Sequence, residues 1–479
     1  VYNQRTKPGP QKYKDKKAFH NDLFFTFTVF PMIILGLKRV KAGCPSERLY
    51  TNMNEKEPDK KKGKEILSWC LYDWAYSSFA TIVISAILPV YYSRVAASHL
   101  TGNTATVYWG YTTVVALVAS VLLAPVMGAI ADFSGIKKRL LLTFAAVGIF
   151  ATALLYYVRA GDWLLASVFF IFGNVGFSMS EVFYNAILPS VAGPEEIDRV
   201  SVKGYALGYL GGGVLLALDV VLIELMPDKA LATRISFITV SVWWAVFTMP
   251  LILNVSEPEI GKAGKLDTGK LTAGFKRLAV TFSELRRYRE LFLFLAAFWI
   301  YNDGIGTIIK MATIYGAEIG IGERALIGAL LMTQFVGIPF SFAFGWLARY
   351  LGTKNSIMLG LFVYMVISVS GYFMETAIHF FILAFLVGTV QGGTQALSRS
   401  LFGTMLPKDK TAEFFGFYSM SSKFAGVIGP LVFAVVSQAT GTSRLSIFSL
   451  IFFFITGALI LSRVDVEKGM QAACYNSPV

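Results

Sequence analysis

Long apolar runs alternate with short polar breaks over most of this 479-residue chain. Most of the runs are near or above the ~20 residues that a helix needs to cross a bilayer. Twelve spans are predicted, near residues 68–93, 107–131, 140–158, 163–189, 204–226, 232–253, 291–316, 324–348, 355–374, 377–399, 412–438 and 444–463. Glycines and prolines inside them are tolerated, because neighbouring helices can satisfy the backbone groups they free. The longest polar connection, residues 254–290, follows the sixth span and carries Lys262, Lys265, Lys270, Lys276, Arg277, Arg286, Arg287 and Arg289. The pattern predicts an all-α polytopic membrane protein. It has a six-helix half (68–253), a basic linker (254–290), a second six-helix half (291–463) and a short tail (464–479).

Residues 1–52 do not fit this pattern. They mix basic residues with one apolar stretch, 23–37, interrupted by Pro31, and about 15 residues is short for a span. We expect this segment to be a non-native or disordered extension, with a re-entrant or interfacial segment as the alternative. Met53 then opens a polar, lysine-rich leader (53–67) of the kind that precedes a first membrane helix.

Basic residues set the expected orientation. The leader, the loop between spans 2 and 3, the 254–290 linker and the loop with Lys408 and Lys410 fall on one side. The opposite loops are nearly neutral, with Arg94, Arg159 beside Asp162, and Asp228 beside Lys229. Cytoplasmic loops collect Lys and Arg, so both termini are expected in the cytoplasm.

The loop between spans 2 and 3 carries the most information. It reads Gly128-Ala-Ile-Ala-Asp-Phe-Ser-Gly-Ile-Lys-Lys-Arg139. Gly128 and Gly135 allow a tight turn between close helices, Asp132 ends one span, and Lys137, Lys138 and Arg139 open the next. The order resembles the G-x-x-x-D-x-x-G-x-[RK]-[RK] loop of the major facilitator superfamily. Between spans 8 and 9, Gly345-Trp-Leu-Ala-Arg-Tyr-Leu-Gly-Thr-Lys354 repeats it, with Arg349 in the place of Asp132. Two pseudo-symmetric six-helix halves with repeated loops are how such transporters are built.

Composition agrees with the membrane assignment. Hydrophobic residues make up 55% of the chain and charged residues 15%, against ~25% charged in soluble domains. The net charge of +13 would suggest nucleic acid in a soluble chain, but basic cytoplasmic loops explain it here. Cys44, Cys70 and Cys474 form no CxxC pair, and the three histidines form no metal motif, so neither metal nor cofactor is expected.

Ionisable groups inside spans are expensive and therefore candidates for function. Asp303 and Lys310 are seven residues apart, about two turns, so they share a face of span 7. They would bind the two ends of a zwitterion or lock helix packing. Glu181 has Tyr184 and Asn185 beside it at three and four residues. Burial disfavours a charged carboxylate, which suits Glu181 to carrying a proton; a gating bond to the other half is the alternative. Gln391, Gln395 and Arg399 form a stripe down span 10, and Lys423 lies inside span 11. Each would line a cavity or hold helices together. Asp73, among Trp69, Tyr72 and Trp74, would be hydrated at the interface or serve a cytoplasmic gate. Gly204, Gly208 and Gly212 recur every four residues and predict close helix packing. The glycine run 208–213 follows no strand, so it is no dinucleotide site.

Six segments resemble the vacuole-effluxer-like family of that superfamily, which includes fungal vacuolar amino-acid exporters and bacterial relatives. They are Ser68-Trp-Cys-Leu-Tyr-Asp-Trp-Ala75, Val182-Phe-Tyr-Asn-Ala-Ile-Leu-Pro189, Gly204-Tyr-Ala-Leu-Gly-Tyr-Leu-Gly-Gly-Gly213, Tyr301-Asn-Asp-Gly304, Gln391-Gly-Gly-Thr-Gln-Ala-Leu-Ser-Arg399 and Tyr418-Ser-Met-Ser-Ser-Lys423. The resemblance implies a twelve-helix secondary transporter with a cavity between its halves, and amino acids as substrate. Short loops point to a bacterial plasma membrane. Expected substrate contacts are Asn302, Asp303, Lys310, Gln391, Gln395, Arg399 and Lys423. Glu181 and Asp303 are the expected proton carriers. Gating is expected from Asp73, Gly128, Asp132, Gly135, Lys137, Lys138, Arg139, Tyr184 and Asn185. A monomer in the lipid bilayer, with a small-molecule substrate and no nucleic acid, is expected. A non-transporting receptor or scaffold on the same fold is the alternative. Without a nucleophile–base set or a GxxxxGK[ST] loop, enzyme and ATP-driven pump are disfavoured.

Overall fold

The structure, a computed structural model, describes residues 59–475 apart from 101–103, 258–284, 408–409, 425–427 and 441. The expectations for residues 1–52, for most of the 254–290 linker and for Lys408 lie outside the described residues. Those described belong to one compact unit, Lys56–Val479.

Among the described residues, twelve helices are long and apolar enough to cross a membrane. They are α1 Lys61–Ala96, α2 Tyr108–Ser134, α3 Lys137–Tyr157, α4 Trp163–Val191, α5 Ile197–Leu225, α6 Lys229–Asn254, α7 Arg289–Ala312, α8 Gly328–Leu351, α9 Thr353–Tyr372, α10 Ala377–Thr404, α11 Thr411–Thr440 and α12 Ser443–Ser462. A short helix, α13 Val466–Tyr475, follows, and the described residues contain no strand. Each predicted span falls on one of these helices. Several helices outrun their apolar runs: α1 starts at Lys61, α5 at Ile197, and α10 continues to Thr404. Lys, Arg and Glu end a hydropathy run without ending a helix, because their helix propensity is high. The C-terminal part of α1 slackens into π-helical turns, Phe79–Ala86 and Tyr92–Ala96, on either side of Pro89. Such turns recur at functional sites.

Helix contacts give the repeat. In the first half α1 packs on α5 and α6, α2 on α4, and α3 on α4 and α6. In the second, α7 packs on α11 and α12, α8 on α10, and α9 on α10 and α12. Adding six to each number converts one set into the other. The halves meet along α2–α11 and α5–α8, pairs that the same operation exchanges.

The two echoing loops are also equivalent in detail. Gly135 (φ 65°) and Gly352 (φ 82°) both take the left-handed conformation, which costs little only for glycine. A Cβ on Gly128 would strike the backbone of Ala412, and one on Gly345 would lie 3.2 Å from Val202. Each glycine therefore lets a helix of one half approach the other half. Lys138 Nζ donates to the carbonyls of Ile252 (2.7 Å) and Val255 (2.6 Å) at the end of α6. Lys354 Nζ donates to those of Ser462 (2.7 Å) and Val464 (2.8 Å) at the end of α12. In both halves a cation meets the negative end of a helix.

Candidate functional site

A cavity of about 340 Å³ lies between the halves, within the ~300–1,000 Å³ range of small-molecule sites. Its first-half wall carries Asp73, Ser77 and Thr81 of α1, Glu181 and Asn185 of α4, and Tyr205 and Tyr209 of α5. The second-half wall carries Asn302 of α7, Gln334 of α8, Gln391 and Gln395 of α10, and Tyr418 and Ser422 of α11. Polar groups therefore line both sides. Glu181 lines the cavity; its Oε2 and Lys423 Nζ approach to 3.8 Å from opposite halves, and both keep some exposure (27% and 15%). Lys423 Nζ also lies 5.9 Å from the ring centre of Phe177.

Towards the end that carries the 2–3 loop, here the basic end, Arg399 closes the cavity floor. It leaves α10 and enters a box built by the first half. Its Nη1 is 3.3 Å from both Asp73 Oδ2 and Asn185 Oδ1. Its Nε donates to Ser201 Oγ (2.9 Å) and its Nη2 to the Ser201 carbonyl (2.7 Å). Tyr205, Trp69 and Tyr184 place their rings 4.4, 5.0 and 5.4 Å from the guanidinium carbon. Tyr184 donates to Asp73 Oδ2 at 3.0 Å and stacks on Trp69 at 4.1 Å. Room for this cluster comes from Gly204, whose Cβ would lie 2.9 Å from Asp73 Oδ2, 3.0 Å from the Tyr184 hydroxyl and 3.1 Å from Arg399 Nη2.

Two further sets tie the halves at the basic end. Asp132 accepts from the backbone N–H groups of Ala412 (3.1 Å) and Glu413 (2.7 Å) at the start of α11, a favourable place for an anion. It also pairs with Lys137 at 2.8 Å, and Lys137 donates to Thr411 Oγ1 at 2.6 Å. Along the exchanged interface, Asp198 of α5 accepts from Ser400 of α10 and Thr353 of α9. The bonds of Arg399, Asp132 and Asp198 lie on the basic-end side of the cavity, while Tyr209 and Gln391 meet across the cavity itself.

The residues singled out in the sequence divide into groups. Asp73, Glu181, Asn185, Asn302, Gln391 and Gln395 line the cavity. Gly128, Asp132, Gly135 and Lys137 meet at the α2–α3–α11 junction, whereas Lys138 turns to α6 and the Arg139 N–H to Glu257 (3.2 Å). Arg399, expected on the cavity wall, is 1% exposed and lies beneath the floor. Asp303 is also 1% exposed and faces α11, where the Gly429 N–H donates to it at 2.9 Å. Asp303, Lys310 and Lys423 are not among the residues lining the cavity wall, although Lys423 reaches Glu181, which is. Trp69, Asp198, Ser201, Tyr205, Thr353 and Ser400 were not picked out from the sequence. Asp219, a lone acid within an apolar run of α5, is a further ionisable group that the sequence displays.

Two exchangeable six-helix halves around a polar cavity define a secondary transporter of the major facilitator fold. Solved structures agree: the proton:xylose symporter XylE has a TM-score of 0.67 at 11% identity, covering 87% of this chain and 100% of that one. The E. coli fucose:proton symporter FucP has a TM-score of 0.63 at 12% identity, covering 84% and 98%. At such identities the likeness is one of fold alone. The chain belongs to the family described as vacuole effluxer Atg22 like, whose model matches residues 100–474. It is 40% identical to the MFS-type transporter YxiO of Bacillus subtilis strain 168, over 86% of this chain and 98% of that protein. Autophagy-related protein 22 of Yarrowia lipolytica is 23% identical, over 76% of each chain. Family and fold make this an integral membrane transporter rather than an enzyme.

Proposed function

We propose that the chain carries a small zwitterion, an amino acid, across a bacterial plasma membrane by alternating access, coupled to protons. The observation that carries this proposal is the Glu181–Lys423 pair. An acid and a base face each other from opposite halves at 3.8 Å, beside a cavity whose remaining polar groups are neutral amides and hydroxyls except for the latched Asp73. An α-ammonium on Glu181 and an α-carboxylate on Lys423 would replace the pair with two new pairs. Each half would then hold one end of the substrate, which suits a site that both halves must grip in turn. Protonating Glu181 itself would leave the Lys423 charge unmatched, which is costly in a bundle interior. This favours Glu181 as the ammonium site over Glu181 as the proton carrier.

Bacterial residence is supported by the high identity to the Bacillus subtilis relative across 98% of its length. With basic residues on the cytoplasmic side, the cavity opens outward in this state. The test is counterflow of labelled amino acids by the full chain in liposomes, with and without a pH gradient. Saturable exchange is expected, falling about tenfold or more in Glu181→Gln and in Lys423→Met if each loses at least ~1.4 kcal/mol of binding. Wild-type exchange by either variant would remove the pair from the substrate site, and no exchange by the wild type would remove amino acids as substrates.

A further inference from the structure

Asp73, Asp132 and Glu181 each face a cation. Asp219 does not. It lies on α5 one turn beyond Leu216, which lines the cavity. It is 1% exposed, and its Oδ2 has no hydrogen-bond partner among the described residues. Its Oδ1 meets the Thr239 hydroxyl of α6 at 2.7 Å. The helices packed on this stretch contribute no charge. No ionisable residue lies between Ser77 and Val90 of α1, between Ser236 and Asn254 of α6, or between Ala325 and Ala348 of α8. On α10, Arg399 is held at the basic end by Asp73, and the His379 ring accepts from the Glu375 N–H near the other end. α5 itself carries no other ionisable group between Tyr209 and Glu224. A carboxylate without a cation in such a place is too costly to persist.

The hydrogen-bond geometry accommodates a neutral acid. Thr239 Oγ1 is 2.7 Å from Asp219 Oδ1 and 2.7 Å from the Ser236 carbonyl. A hydroxyl has one hydrogen, and a carbonyl has none to give. If the hydroxyl donates to Ser236, the contact with Asp219 requires a hydrogen from Asp219, which a neutral carboxylic acid supplies. The unpartnered Oδ2 is then a neutral carbonyl oxygen, far cheaper to leave unmatched than half of a carboxylate.

We infer that Asp219 is a proton-binding site that is loaded in the state described here and emptied in the opposite one. α5 crosses the interface between the halves through its contacts with α8 and α10, so the rocking of the halves changes what covers Asp219. On emptying, the Asp219 O–H bond breaks and a water of the opposite compartment takes the proton. On return, the bond re-forms with a proton from the compartment facing the cavity. The inference rests on proton coupling in the proposed function, and it assigns that role to a residue that touches no substrate.

Two measurements on the purified full chain test it. Infrared spectra at neutral pH should show a protonated-carboxyl C=O band in the wild type that Asp219→Asn lacks. Thr239→Val should move that band to higher frequency without abolishing it. Identical bands in wild type and Asp219→Asn would overturn the inference whatever the substrate, as would a band unmoved by Thr239→Val. In liposomes, Asp219→Asn should keep amino-acid counterflow at the wild-type rate and lose at least tenfold of the accumulation driven by a pH gradient. Wild-type accumulation by the variant overturns the inference, as does a wild type that exchanges but never accumulates. Counterflow absent from both proteins would remove the amino-acid substrate alone and leave the infrared band to decide Asp219.

Discussion

Arg399 shows how one side chain can join two halves. Its donors meet Asp73, Asn185 and Ser201 in different directions, and Tyr205 covers its face at 4.4 Å. A lysine would keep the charge but not the planar fork or the stacking. We therefore expect Arg399→Lys to behave like Arg399→Ala. Both should lower exchange about tenfold or more, because an unpaired buried Asp73 costs roughly 3–5 kcal/mol of the closed basic end. Initial rates at matched membrane expression check this, and a near-normal rate in Arg399→Lys would show that charge alone suffices. The sequence placed Arg399 on a polar stripe with Gln391 and Gln395, and for those two residues the structure agrees. Eight residues at about 100° each leave Arg399 turned by roughly 80° from Gln391. That rotation carries it off the cavity wall and into the opposite half. Four-residue spacing alone could not reveal it. Asp219 is legible as a lone acid inside an apolar run, but its contact with Thr239, 20 residues away on the next helix, is not.

Among the helices, the symmetric features are the loops that let them meet. The 2–3 loop and its echo were legible because glycine at a left-handed position and glycine at a close approach leave a fixed spacing in the chain. The same operation also relates Lys138 to Lys354, each capping the last helix of its half. The charges across the interfaces are less symmetric. One uses the buried Asp132–Lys137 pair at the start of α11; the other uses Asp198 with hydroxyls of Ser400 and Thr353. Hydropathy located all twelve helices but not their ends, since polar residues continue a helix beyond the hydrocarbon. The partners of Asp132 were hidden because they are backbone N–H groups 280 and 281 residues away. The buried pair suggests a double-substitution test. Asp132→Asn leaves Lys137, which is 2% exposed, without its partner. It should lower transport at normal expression, as should Lys137→Met. Replacing both members of a buried pair is often nearly neutral, so the double variant should recover part of the loss. A double variant no better than either single one would show that the helix-end bonds of Asp132, rather than its pairing with Lys137, hold this interface.

At the scale of the whole molecule, the placement of the bonds fixes which end is shut. The Arg399 box, the Asp132 junction and the Asp198 junction all lie on the basic-end side of the cavity, and the Glu181–Lys423 pair lies at it. Opening that end requires all three sets to part together, because each spans the same two rigid halves. Their strength therefore sets the balance between the two facing states rather than the stability of either half. A closed state weakened by ~1.4 kcal/mol shifts that balance about tenfold. Accessibility can read the balance without any substrate. With Cys44, Cys70 and Cys474 replaced, a single cysteine at Gln391, on the cavity wall, should react with a membrane-impermeant thiol reagent added outside intact cells. Adding Arg399→Ala or Asp132→Asn should slow that reaction, because either change releases the basic end and favours the state in which the cavity opens there. Labelling that is slow from outside and fast in inverted vesicles of the unlatched parent would place the basic end on the outer side. Labelling unaffected by both substitutions would mean that neither set governs the facing of the cavity, leaving the Asp198 junction to hold that end shut.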